Sequence, residues 1–477
     1  MRPAVAFFAG AGDHAPMATG IPSGNTRIHA DRAWRADGWC RDACIDVGED
    51  GTVSAVECAT AATTGRIDAG WILPGIPNLH SHAFQRAMAG LAERQTDAQD
   101  SFWTWRETMY RSAARISPES LFAIASQLYV EMLEAGYTSV CEFQYLHHRP
   151  DGTPYADPAA MSQAIIAAAR DTGIGLTLLP VLYMRGGFDG RALAERQRRF
   201  GHTVESFLKL LQSLHTQQDA QLNVGVAFHS LRAVPEAAMC EVLDALGDAP
   251  LPIHLHIAEQ IGEVQDSLAV RNARPVEWLL ANMPVDARWT LVHATHLTAE
   301  ETRGIAGSGA TVAICPSTEA NLGDGLFPLR DYLQAGGAWG IGSDSQISVS
   351  PVEELRWLEY GQRLLVRQRN LAVDARHRST GEALFAQALS GGARSSMRKI
   401  GALQAGYRAD WLRFDEDAPQ LVGATDDDAI DRFVFSGNRN LVRTVWVGGN
   451  CVVEQGRHVR GERILAAYRE AVSSLER

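Results

Sequence analysis

Several short apolar segments of this 477-residue chain end in histidine or aspartate, the residue types that hold divalent metal ions. The segment WILPGIPNLH runs into His80-Ser81-His82. Side chains alternate faces along a strand, so the two imidazoles point the same way and form a two-toothed clamp. A lone His-x-His pair is weak evidence, because most buried histidines are simply hydrogen-bonded. Further segment ends strengthen it. His254-Leu255-His256-Ile257-Ala258-Glu259 offers a third imidazole and, one step beyond, a carboxylate. His254 and His256 share a face, so spacing leaves open which one binds; His256 is preferred as the nearer to the C-terminal end. His293 closes WTLVH, and Asp344 closes WGIGSD. Asp344 could cap a helix and His293 could be an ordinary buried polar group, but agreement among four separate segment ends favours a metal site. His80, His82, His256 and Asp344 then form an N₃O set with room for a water molecule, suited to one divalent ion, zinc by preference, although iron, manganese and nickel accept the same donors.

The chemistry expected of such a set is hydrolysis. A bound divalent ion lowers the pKa of a water molecule to about 7. Glu259 is placed to shuttle a proton, while His293 and Asp344 hold the water proton and His293 stabilises developing charge.

These residues need a scaffold that gathers strand ends. Eight apolar, β-branched or aromatic segments occur in order: WILPGIPNLH, YTSVCEF, GLTLLPVLYM, NVGVAFHSL, PIHLHIAE, WTLVHATHL, TVAICPS and WGIGSDS. Most are separated by helix-length stretches such as SLFAIASQLYVEMLEAG, whose apolar residues recur at helical spacing and which ends at a glycine. Strand-helix alternation repeated eight times predicts an α/β protein with a (β/α)₈ barrel of the TIM type. A doubly wound open sheet is the runner-up. The active site of such a barrel lies at the C-terminal strand ends. The chain has two lysines, Lys209 inside the helical ESFLKLLQSL and Lys399 beyond the last strand segment. Neither is placed on the fourth strand to bridge a second ion, so one ion is expected.

The flanks read differently. CIDVGEDGTVSAVE carries a Glu-Asp-Gly turn between alternating apolar stretches, and VRTVWVGGNCVVEQGRH repeats that texture around Gly448-Gly449. A small β-sandwich domain built from both termini is expected, over residues 26–73 plus 402–465. The barrel then occupies 74–401, a C-terminal helix 466–477, and a Gly/Pro/Ser-rich flexible extension residues 1–25.

The formal charge of -12 argues against nucleic acid as a partner. No apolar run approaches the roughly 18 residues of a membrane span. Seven cysteines form no CxxC pair, and their odd number suggests reduced thiols in a cytoplasmic protein.

Over residues 71–411 the chain resembles the amidohydrolase superfamily: PGxxNxHxH at Pro74–His82, HxxE at His256–Glu259, His293, Asp344, and the exit motif GALQAGYRAD at 401–410. More narrowly, LPGIPNLHSHAFQRAMAGLAE, SFWTWRETMY, CEFQYLHH and GSDSQISVSPVEELRWLEYGQRL are similar to the formimidoylglutamate deiminases of bacterial histidine degradation. That resemblance implies a small dicarboxylate substrate, N-formimidoyl-L-glutamate, and release of ammonia. For that dicarboxylate it implies substrate contacts from Arg106, in the loop region after the first strand segment, and Arg232, just past the fourth, whose guanidiniums can grip carboxylates through paired hydrogen bonds, together with Gln85 and Tyr145, and a homodimer is expected. Other deaminases on the same scaffold, acting on guanine, an adenosine derivative or a triazine, form the nearest alternative; a metal-binding barrel without catalysis is the remoter one.

Overall fold

The computed structural model describes residues 26–60, 66–67, 70–95 and 102–475. The N-terminal extension lies outside them.

The first five strands are β1 (Thr26–Arg35), β2 (Gly38–Val47), β3 (Val53–Glu57), β4 (Arg66–Ile67) and β5 (Trp71–Pro74). The next nine are β6 (Ile76–Ser81), β7 (Tyr137–Gln144), β8 (Gly175–Leu182), β9 (Leu222–Val224), β10 (Val226–Ser230), β11 (Ile253–Ile257), β12 (Trp289–His293), β13 (Thr311–Ile314) and β14 (Ala338–Ile341). The last four are β15 (Trp411–Phe414), β16 (Val442–Val447), β17 (Asn450–Glu454) and β18 (Arg457–His458).

Strands β6, β7, β8, β10, β11, β12, β13 and β14 pair in parallel, each with its neighbour in chain order, and β9 adds to β8. Helices lie between them, as parallel pairing requires of its crossovers. The predicted barrel is therefore present. Its helices stop where the sequence placed their glycines: Pro118–Ala135 ends at Gly136 (φ 104°) and Ala160–Thr172 at Gly173 (φ 86°), both in the left-handed region that glycine enters without a Cβ penalty.

The ring closes between β14 and β6. Ser81 bridges Asp344 in parallel fashion, His82 N–H donates to the Asp344 carbonyl (3.2 Å) and Asp344 N–H to the His80 carbonyl (3.0 Å). The three segment-end residues His80, His82 and Asp344 thus meet at the closing seam.

Both termini build a second sheet, of order β18-β17-β16-β15-β5-β1-β2-β3 with β4 beside β1. The N- and C-terminal strands join where β15 runs antiparallel to β5. The segment WILPGIPNLH, read as one strand, divides here. Trp71–Pro74 belongs to the second sheet and Ile76–Ser81 to the barrel. Gly75 turns the chain between them: its N–H donates to the Asp410 carbonyl, and a Cβ at this position would overlap the Thr138 side chain. The exit motif docks on the second sheet, with Val53 N–H donating to Tyr407 O and Gly406 N–H to Val53 O, both at 2.8 Å.

The cysteine expectation is overturned. Cys40 and Cys58 form a disulfide with Cα atoms 5.4 Å apart, leaving Cys44, Cys141, Cys240, Cys315 and Cys451 free. After β3 the chain folds back along β2, with Ala59 N–H bonded to Arg41 O and Thr60 N–H to Asp42 O, which carries Cys58 beside Cys40. No helix among the described residues is long and apolar enough to cross a membrane.

Candidate metal and active site

His80 Nε2 lies 3.1 Å from His82 Nε2 and 2.9 Å from His256 Nε2, and the last two are 3.3 Å apart. Asp344 Oδ1 stands 3.2 Å from His80 Nε2 and 3.3 Å from His82 Nε2. All four residues are buried. His82 Nδ1 donates to Phe143 O (3.0 Å) and His256 Nδ1 to His229 O (2.9 Å). A carbonyl can only accept, so each Nδ1 carries the ring proton and each Nε2 presents a lone pair. Lone pairs this close repel unless a cation lies among them. Donors about 2.1 Å from a tetrahedral zinc-like ion are separated by about 3.4 Å, close to the spacings here. The donor set therefore fits a divalent ion. Burial, and then the neighbouring imidazoles, push His80 and His82 well below the usual range and His256 to about 3, leaving the rings neutral as ligands must be.

Geometry separates His254 from His256. His254 Nε2 donates to the Ser395 carbonyl at 2.9 Å, on the helix Thr380–Ser396, and stands outside the cluster.

Glu259 follows β11 and is joined to the cluster through His293, whose Nε2 is 3.7 Å from Glu259 Oε1 and 3.9 Å from Asp344 Oδ2. Burial pushes the Glu259 carboxyl up to about 7, inside the range useful for proton transfer near neutrality. Burial alone would lower His293; the carboxylates of Glu259, Glu319 and Asp344 outweigh it and hold the ring up at about 10. Ala258, His293, Ala294, Asp344 and Gln346 all have φ between 42° and 69°. Non-glycine residues there cost on the order of 1–3 kcal/mol each, so the strand ends that aim these groups are held under strain by their surroundings.

The cluster opens into a cleft lined by, among others, Gln85, Arg106, Tyr145, Tyr183, His229 and Arg232. Arg106 lies on the helix Phe102–Ala113 rather than in a loop, and over the Tyr110 ring (5.7 Å). That helix returns it to the cleft. Burial lowers the Arg106 pKa, and the nearby Arg232 charge lowers it further. Burial likewise opposes the Arg232 charge, but Tyr183, Tyr110 and Glu263 raise its pKa overall. Two guanidiniums lining one cleft favour an anionic ligand there. Gln85 Nε2 donates to the Tyr145 hydroxyl (3.0 Å), and the Tyr145 ring packs on His82, 5.0 Å between centroids.

Every site residue read from the sequence borders this cleft or the ligand cluster. The sequence reading missed Glu319, Glu263 and His229. Glu319 Oε1 takes hydrogen bonds from Cys315 N–H (2.9 Å) and His293 Nδ1 (3.2 Å). Glu263 accepts from Glu259 N–H (3.1 Å). The four-residue spacing from Glu259 to Glu263 was a visible signal; nothing local marks Glu319.

The description "Amidohydrolase family" matches residues 71–452. The chain belongs to the amidohydrolase family. Within it, the chain is 50% identical over 449 residues to a formimidoylglutamate deiminase of Pseudomonas aeruginosa, covering 94% of this chain and 99% of that protein. Among solved amidohydrolase structures, one from Brucella melitensis superposes with a TM-score of 0.89 at 43% identity, covering 95% of this chain and all of that one. The atrazine chlorohydrolase of Arthrobacter aurescens, solved with zinc, shares the fold at a TM-score of 0.80 and 22% identity, over 94% of this chain and 100% of that one.

Proposed function

We propose that this amidohydrolase cleaves the terminal carbon–nitrogen bond of N-formimidoyl-L-glutamate, giving N-formyl-L-glutamate and ammonia, with one zinc ion held by His80, His82, His256 and Asp344. The observation that carries the reading is one cleft in which that ligand group faces the Arg106–Arg232 pair. The dicarboxylate end of the substrate meets the guanidiniums while the formimidoyl carbon lies by the ligands. The 50% identity to a formimidoylglutamate deiminase supports the same substrate.

A divalent ion in this ligand set supplies the acidity that makes water a nucleophile near neutral pH. Asp344 and His293 hold the water in place. Glu259, ionised above its value near 7, takes a proton from the water as that water adds to the formimidoyl carbon and passes it to the imino nitrogen. The carbon becomes tetrahedral, bearing one hydroxyl and two nitrogens. His293, kept cationic by its three carboxylates, stabilises the oxygen of that species. Proton transfer to the terminal nitrogen expels ammonia and leaves the formyl group. Arg106 and Arg232 grip the two carboxylates, with Gln85 and Tyr145 as polar contacts. β10 carries no lysine, and Lys209 is an exposed partner of Glu205, which supports a single ion.

The deciding experiment is an ammonia-release assay of the purified, metal-analysed protein on formimidoylglutamate beside guanine and adenosine. Turnover of the amidine dicarboxylate alone is expected. Faster release from either purine would overturn the substrate.

A further inference from the structure

Behind the metal ligands, on the face of the seam they do not occupy, runs a continuous chain of hydrogen bonds. Asn78 Nδ2 donates to Ser343 Oγ (2.6 Å), and Ser343 Oγ donates to Gln346 Oε1 (2.8 Å). Gln346 Nε2 donates to Ser81 Oγ (3.0 Å) and to the Asp344 carbonyl (2.6 Å). Ser81 Oγ then donates to Glu142 Oε2 (2.7 Å), whose Oε1 accepts from Ala83 N–H (2.6 Å). Asn78 Oδ1 accepts from both His80 N–H and Ser343 N–H at 3.2 Å. All five residues are at most 1% exposed.

The chain interleaves with the ligands. Asn78 and Ser81 bracket His80, Ser81 separates it from His82, and Ser343 and Gln346 bracket Asp344. Its direction leaves no slack: each hydroxyl donates once and accepts once, and both Gln346 amide hydrogens are used. A rotation at any member therefore breaks a bond elsewhere and leaves a buried polar group unpaired, which costs about 1–3 kcal/mol. Gln346 is central, because its amide spans from β14's end to Ser81 on β6 while its backbone sits at φ 63°.

We infer that Gln346, acting through Ser81 and Glu142, is a positioning residue that clasps the barrel seam and thereby sets the affinity of the His80–His82–His256–Asp344 site for its metal. This rests on the reading of those four residues as a metal site, not on the identity of the substrate. Opening the seam moves Asp344 against both His80 and His82 at once. Partners that orient metal ligands in this way contribute about 10- to 100-fold in affinity.

The test is zinc affinity by chelator competition on the full chain, for wild type, Gln346→Ala, Ser81→Ala and the double variant, with thermal melting of the metal-free forms. Ser81→Ala removes a single hydroxyl and guards against loss of folding by the larger change. Each single variant is expected to bind zinc about 10- to 100-fold more weakly with metal-free melting lowered by only about a few degrees, and the double variant no more weakly than the worse single. Affinity within threefold of wild type in both singles, or losses that add in the double, would overturn the clasp. Failure of wild type itself to bind zinc would instead remove the proposed metal site. Failure to turn over formimidoylglutamate would leave the clasp result standing.

Discussion

Ser81 and Asp344 pair across the seam where the first and last barrel strands meet, and that pairing brings His80 and His82 to 3.2 and 3.3 Å from the Asp344 carboxylate. Closing the parallel barrel therefore brings together three of the four proposed ligands, the fourth, His256, coming from β11. Neither strand alone holds more than part of the site.

The two histidines of β11 should behave oppositely. His256→Ala removes one of the four proposed ligands and should lower bound zinc in the purified protein at least about tenfold, by elemental analysis. His254→Gln retains a donor for Ser395 O and should keep full metal content. Equal losses in both variants would contradict the assignment of His256.

Glu259→Gln should retain its metal but lose kcat by about 10²–10⁴-fold, the usual contribution of a positioned acid–base group. An unchanged rate would remove Glu259 from the mechanism.

Burial raises the Glu259 carboxyl from its ordinary value to about 7, so its ionised form dominates only above that pH. Log kcat/KM of the wild type should therefore fall with unit slope as pH drops below about 7 and level off above it. An acid limb centred near the ordinary glutamate value would contradict the buried setting of this group.

Arg232→Met should chiefly raise KM for a dicarboxylate, since a lost charge-assisted hydrogen bond costs about 1.5–3 kcal/mol, or roughly 10- to 150-fold. Arg106→Met should do the same. A monocarboxylate formamidine should be insensitive to one of the two substitutions, and steady-state kinetics on both substrates would reveal which carboxylate each arginine holds.

The Cys40–Cys58 disulfide closes an 18-residue separation within the terminal sheet, and such a loop stabilises by about 2–3 kcal/mol. Cys58→Ser should lower the melting temperature under oxidising conditions without changing kcat. Identical melting of variant and wild type would argue that the bond does not form in solution.

Much of this was legible locally. Alternating side chains placed His80 and His82 on one face, the eightfold strand-helix rhythm implied the barrel, and segment ends marked Glu259, His293 and Asp344. These follow from periods of two and 3.6 residues, which short stretches encode by themselves. The rest depended on pairings between distant parts of the chain. Gln346 meets Ser81 across 265 positions, and His254 is drawn off to Ser395 across 141. Cys58 reaches Cys40 only because the chain doubles back after β3. The residue types and the faces they occupy belong to the sequence; register, seam closure and the convergence of Arg106 with Arg232 were decided by the tertiary structure, because a local period carries no information about which distant strand or helix will pack against it.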